Sequence, residues 1–249
     1  MSRSLGRALT LLLAVTFCFS LFVFDGFANQ SKKVALQTLG PDVSLYRMDR
    51  LNQLKPTNSQ DDKKVVLITF DDAPYSKRTT TRILNVLDKH KVKALFFVNG
   101  YLIRQHPDLL RDIHRRGHEI GNHTYGHVNL VKVNRTIIET EIAIVQRQVE
   151  KLTGERPLFF RPPYGEYNDL VKEVLVHQKL RMINWSNDSE DWKERKKPNR
   201  IVIERVLKQL RPGSIILLHD VPGTASSLDE LLTKISERGY KYVHPLQLD

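Results

Sequence analysis

Two textures alternate along most of this chain. Short runs rich in β-branched and aromatic residues are separated by longer stretches in which apolar residues return every three or four positions. Runs at 65–70, 94–98, 119–121, 158–161, 181–185, 215–219 and 240–243 predict strands. Between 134 and 153, Ile138, Ile142, Val145, Val149 and Leu152 recur at steps of four, three, four and three, which is one stripe of a helix; Gly154 then stops it. A second helix is predicted from Pro198-Asn199 to Leu210, before the turn Arg211-Pro212-Gly213, and a third over 228–238, ended by Gly239. Strands alternating with helices give an α/β fold with a parallel sheet and helices outside it. Closed on itself, such a sheet is a βα barrel; left open, it is doubly wound.

The N-terminal part reads differently. Arg3 and Arg7 precede an apolar run over 8–24, and Gly26-Phe27-Ala28 offers small residues for cleavage, so residues 1–28 read as a signal peptide. If retained, a run of 17 residues reaches the lower limit for a membrane anchor. Residues 29–61 are polar and weakly patterned, as in a linker or loosely packed lead-in to a catalytic domain over 62–249. The only cysteine, Cys18, lies inside the apolar run, so a cleaved chain has no thiol and forms no disulfide. An exported location follows: secreted, or associated with wall or membrane.

With 41% hydrophobic and 27% charged residues among 249, the composition is that of a globular protein. The formal charge is +11, of which residues 1–28 contribute +1. A positive field favours anionic partners, here wall polymers or phospholipid head groups. No run of aromatics is interleaved with basic residues, which argues against nucleic acid.

Polar residues gather at the C-terminal ends of the predicted strands, the face on which barrel enzymes build their sites. Asp71 and Asp72 follow the first, His123 and His127 the third, and Arg161 and Tyr164 the fourth. Asp188, Asp191 and Trp192 follow the fifth, and His219 and Asp220 end the sixth. Two imidazoles four residues apart plus one carboxylate suit Zn²⁺ or a similar divalent ion with open positions. A cation would offset the repulsion between adjacent aspartates. One of them can ligate while the other acts as a general base, and spacing alone leaves open which does which. No GxSxG nucleophile and no phosphate-cradling glycine loop is present.

TFDD, HTYGH, RPPY, DSEDW and IILLHD, in this order and at this spacing, resemble the five motifs of the polysaccharide deacetylases, the carbohydrate esterase family of chitin, chitooligosaccharide and peptidoglycan deacetylases. The resemblance covers about residues 63–245 and implies a distorted (β/α) barrel of seven or eight parallel strands. It also implies metal-dependent removal of acetyl groups from N-acetylated sugars. By matching positions, Asp71 would be the general base, with Asp72, His123 and His127 as metal ligands. Arg161 would orient Asp71, and the Tyr164 backbone N–H would face the oxyanion. Asp191 would tune the general acid His219, Trp192 would wall the pocket, and Leu217 would pack on the acetyl methyl. Ala73 stands where the family motif usually has glycine, which would strain the turn if φ were positive there.

The expected function is therefore hydrolysis of N-acetyl groups in an N-acetylglucosamine polymer, peptidoglycan before chitin, with Zn²⁺ as the metal and Co²⁺, Mn²⁺ or Ni²⁺ as substitutes. Two alternatives differ in chemistry. One is an esterase on O-acetylated glycans such as xylan. The other is a non-catalytic wall-binding protein that keeps the fold.

Overall fold

The computed structural model describes residues 45–58, 62–194 and 200–248. The apolar run, Cys18 and the cleavage site lie outside the described residues. Among the described residues, no helix is long and apolar enough to cross a membrane.

The chain enters through β1 (Tyr46–Met48) and β2 (Leu54–Pro56), an antiparallel ribbon, and then forms the long strand β3 (Val65–Ala73). Next come α1 (Lys77–Lys89), β4 (Leu95–Val98), α2 (Gly100–Gln105), α3 (Pro107–Arg115), β5 (Glu119–Asn122) and α4 (Arg135–Thr153). The second half runs through β6 (Phe159–Phe160), α5 (Asp169–His177), β7 (Arg181–Met182), β8 (Asn187–Asp188) and α6 (Arg200–Gln209). It ends with β9 (Ser214–His219), α7 (Pro222–Glu237) and β10 (Lys241–Tyr242). One all-parallel sheet takes the order β7-β6-β5-β4-β3-β9-β8, and β10 pairs with the start of β3. The sheet curls but β7 does not pair with β8, so it is a half-barrel with one open seam.

The period-2 alternation of β3 sorts its side chains into two cores. Val66, Ile68 and Phe70 join the large cluster under the helices, with Leu84, Leu87, Leu228 and Leu231. Val65 and Leu67 point the other way, into the barrel interior with Leu95, Phe97, Phe159 and Ile215. Ile138, Ile142, Val145 and Val149 of the α4 stripe are buried and Leu152 is half-buried; Asn134 caps the first turn through a bond to the Ile137 N–H, and Gly154 takes the left-handed C-terminal position at φ 80°.

Three elements differ from the sequence reading. The strand expected over 181–185 stops at Met182, because the carbonyls of Ile183 and Asn184 turn inward to accept bonds from Arg161, and pairing resumes as β8 beside β9. The last helix starts at Pro222 rather than 228, since Gly223, Thr224, Ser226 and Ser227 hide its apolar rhythm while Pro222 suits a first turn. Residues 45–58 are more than a lead-in: Leu54 donates to Gly213 O at 2.8 Å, Leu45 to Gln247 O at 3.0 Å, and buried Tyr46 and Leu54 pack on the interior core. A chain beginning at residue 62 is expected to melt about 10 °C or more below one beginning at 45, since each lost large side chain is worth about 1.5–3 kcal/mol. Equal melting temperatures would make 62 the true start of the folding unit.

Candidate active site

The two aspartates of the β3 terminus part company through a backbone device. Asp71 continues the inward parity of Val65, Leu67 and Thr69 and is buried. Asp72 would point outward with Phe70, but the register against β4 slips between Phe70 and Ala73, and Asp72 adopts a left-handed φ of 57°. A bulge of this kind re-aims one side chain. Ala73 itself is not among the residues with positive φ; it is buried and paired with Val98. Absence of the usual glycine therefore costs nothing there, because the strained conformation falls on the residue before it.

Arg161 is the hub of the interior. It is wholly buried, with its guanidinium 4.2 Å from the Phe97 ring centre and 5.6 Å from that of Trp185. It donates to Asp71 Oδ1 at 2.7 Å, Thr69 Oγ1 at 2.9 Å, Ile183 O at 2.9 Å and Asn184 O at 3.1 Å. Burial pulls Arg161 below its ordinary value, and the Asp71 carboxylate works against that pull. One Asp71 oxygen is thereby fixed and Oδ2 is left facing the site, 3.7 Å from His123 Nε2.

The imidazoles converge through an irregular loop after β5 rather than on one helical turn. His123 Nδ1 lies 2.7 Å from the Arg161 carbonyl. A carbonyl only accepts, so Nδ1 donates to it and Nε2 is the ring nitrogen left toward the site. His127, at φ 55°, places Nε2 3.8 Å from Asp72 Oδ1. Burial and the neighbouring His123 hold His127 below its ordinary value, in spite of Asp72 and Asp71. The ligand atoms of Asp72, His123 and His127 lie within 4.8 Å of one another, so one divalent ion can be shared by all three. Two imidazoles and a carboxylate, with one imidazole already oriented by a carbonyl, fit such an ion well.

At the end of β9, His219 Nδ1 lies 2.7 Å from Asp191 Oδ1, and its backbone N–H donates to Asp191 Oδ2 at 2.8 Å. Thr224 donates its hydroxyl to the same oxygen. Burial opposes charge on both partners. The mutual hydrogen bond outweighs it, holding Asp191 low and raising His219 to about 9. The acid form of His219 is thus lost only as pH rises through that value, and removing the carboxylate must bring the loss to lower pH. Asp191→Asn is expected to move the alkaline limb of the rate profile down by about one to three pH units. An unmoved limb would show that another group sets it.

Tyr164, at φ 62°, sits with its ring edge against His127 at 4.8 Å between centroids and is largely exposed. Trp192 is exposed at the rim beside Lys193, and Leu217 is buried in β9, paired with Thr69 and Asp188. Asp188 is not part of the three-residue cluster: it pairs in β8 and its Oδ1 caps the Glu190 N–H at 2.8 Å.

Sequence reasoning missed the supports. Asn99 donates to His123 O at 2.9 Å, and Asn122 Oδ1 holds the Thr124 N–H at 2.9 Å. Glu141 holds the Gly126 N–H at 2.7 Å. Polar residues such as Thr69 and Asn99 at the ends of apolar runs were the only available signal. Asp220 closes the IILLHD run, and the sequence gives it no role; burial, with Asp72 nearby, pushes it up to about 7.

Comparison with known proteins identifies the family of the chain. Residues 58–183 match the family model described as polysaccharide deacetylase. The chain is 37% identical over 188 residues to the peptidoglycan-N-acetylmuramic acid deacetylase PdaC of Bacillus subtilis, covering 75% of this chain and 39% of that one. It is 40% identical over 181 residues to the peptidoglycan-N-acetylglucosamine deacetylase PgdA of Listeria monocytogenes, covering 72% and 38%. The chain thus spans about two fifths of the length of these relatives. Among solved structures, BA3943, a CE4 family pseudoenzyme from Bacillus anthracis, superposes with a TM-score of 0.69 at 32% identity, covering 73% of this chain and 63% of that one. With the matched segment, the similar relatives and the half-barrel, this chain belongs to the polysaccharide deacetylase family.

Proposed function

We propose that this chain hydrolyses N-acetyl groups of peptidoglycan glycan strands, at N-acetylglucosamine, releasing acetate and leaving free amines. One observation carries the reading: three metal-type ligands sit beside a carboxylate clamped by Arg161, and that carboxylate's strand partner is an imidazole clamped by Asp191. The peptidoglycan deacetylase names of PdaC and PgdA support the substrate class. An exported chain, led by residues 1–28 as signal or anchor, belongs to the same proposal.

Asp72, His123 and His127 would hold the ion, with zinc suiting the donor set; when bound, it supplies Lewis acidity that acidifies water and polarises the acetamido carbonyl. Asp71 takes a proton from the attacking water at Oδ2, the oxygen that Arg161 leaves free. The Tyr164 N–H would donate to the oxyanion, a bond that typically contributes about 100-fold or more in rate. His219 has Nδ1 committed to Asp191, so Nε2 hands the proton to the departing nitrogen. Leu217 and Trp192 shape the acetyl pocket.

The BA3943 pseudoenzyme shows that this fold occurs without activity. Here Asp71, Asp72, His123, His127 and His219 are all present, which favours catalysis over wall binding alone. Acetate release should be measured on purified peptidoglycan and on O-acetylated xylan. Faster release from peptidoglycan is expected. Faster ester cleavage would overturn the amide assignment, and binding without acetate from either would restore the non-catalytic alternative.

A further inference from the structure

We propose that Asp220 is a positioning residue for the metal centre, whose carboxylate clamps the strained segment that presents Asp72. The inference rests on the reading of Asp72 as a metal ligand. Asp220 follows His219 at the end of β9 and is wholly buried. Its backbone N–H donates to Asp71 O at 3.0 Å. Its Oδ2 accepts the Tyr75 N–H at 2.9 Å and the Thr80 hydroxyl at 2.6 Å. These bonds close on both sides of Asp72: on the residue before it, three residues after it, and in the first turn of α1.

The segment needs such closure. A non-glycine residue in the left-handed region costs of order 1–3 kcal/mol and persists only where its surroundings over-determine it. The register against β4 slips between Phe70 and Ala73, so sheet pairing holds Asp71 against His219 and Ala73 against Val98 but skips Asp72 itself. Packing does not account for a carboxylate in this place either. Asp220 Oδ1 meets no hydrogen-bond donor among the described residues, a cost that an apolar side chain would avoid. What distinguishes Asp220 from such a filler is the grip of Oδ2 on the Asp72 segment.

Zinc affinity of the full chain, measured by competition with a chromogenic chelator, tests this. Partners that orient a metal ligand are typically worth about 10–100-fold in affinity. Asp220→Ala is expected to weaken zinc binding by that amount. Asp220→Asn keeps an acceptor for Tyr75 and Thr80 and is expected to bind close to wild type. Thr80→Val removes one donor and should shift affinity in the same direction by less. Unchanged affinity in Asp220→Ala, or an asparagine variant as weak as the alanine, overturns the inference. Should Asp220→Ala fail to fold, unchanged affinity in Thr80→Val overturns it equally. A wild-type chain that binds no zinc would instead sink the reading of the metal centre itself.

Discussion

Asp71→Asn is expected to lower kcat by about 10²–10⁴-fold while zinc still binds with near wild-type affinity. The amide keeps the shape of the carboxylate and an oxygen for Arg161 to hold, but it cannot take a proton. The neighbouring Asp72, His123 and His127 are untouched. Parallel measurement of acetate release and zinc affinity checks both halves. Loss of zinc with retention of some turnover would reverse the division of labour between Asp71 and Asp72.

The second large effect is on stability. Arg161→Met keeps much of the side-chain volume but leaves the buried Asp71 carboxylate without its cation. It also leaves the Ile183 and Asn184 carbonyls without donors. Breaking a buried pair from one side costs about 3–5 kcal/mol. For a domain of this size that corresponds to a fall in Tm of about 6–20 °C, with kcat falling as well because Asp71 Oδ1 is no longer fixed. A variant that melts with the wild type would show that the guanidinium is not the keystone of the interior.

The parts of the site legible in the sequence are those where chemistry interrupts an apolar run. Asp71, His123, Arg161 and His219 each stand at or just past a strand end, and a parallel sheet brings such ends to one face without further information. Residue order left more hidden than it revealed about backbone shape. The left-handed turn at Asp72 depends on a slip against β4, and the convergence of His127 depends on positive φ at Thr124 and His127. None of positions 72, 124 and 127 is a glycine that would signal it. The ribbon of β1 and β2 was illegible because each strand is three residues long with one fully buried side chain. Likewise β8 is a two-residue strand whose pairing with β9 follows from the detour that Arg161 imposes at Ile183 and Asn184. Supports such as Asn99, Glu141 and Thr224 act on backbone atoms or on other polar side chains, so their roles appear only when the chain is folded.

The central claim is that an ion held by Asp72, His123 and His127 is required for loss of the acetyl group. It is tested most directly by acetate release from purified peptidoglycan with the protein as purified, after chelation, and after one equivalent of zinc is returned. Activity that disappears on chelation and comes back with zinc is the expected result, with no recovery in Asp72→Ala. Undiminished acetate release from metal-free protein would contradict it.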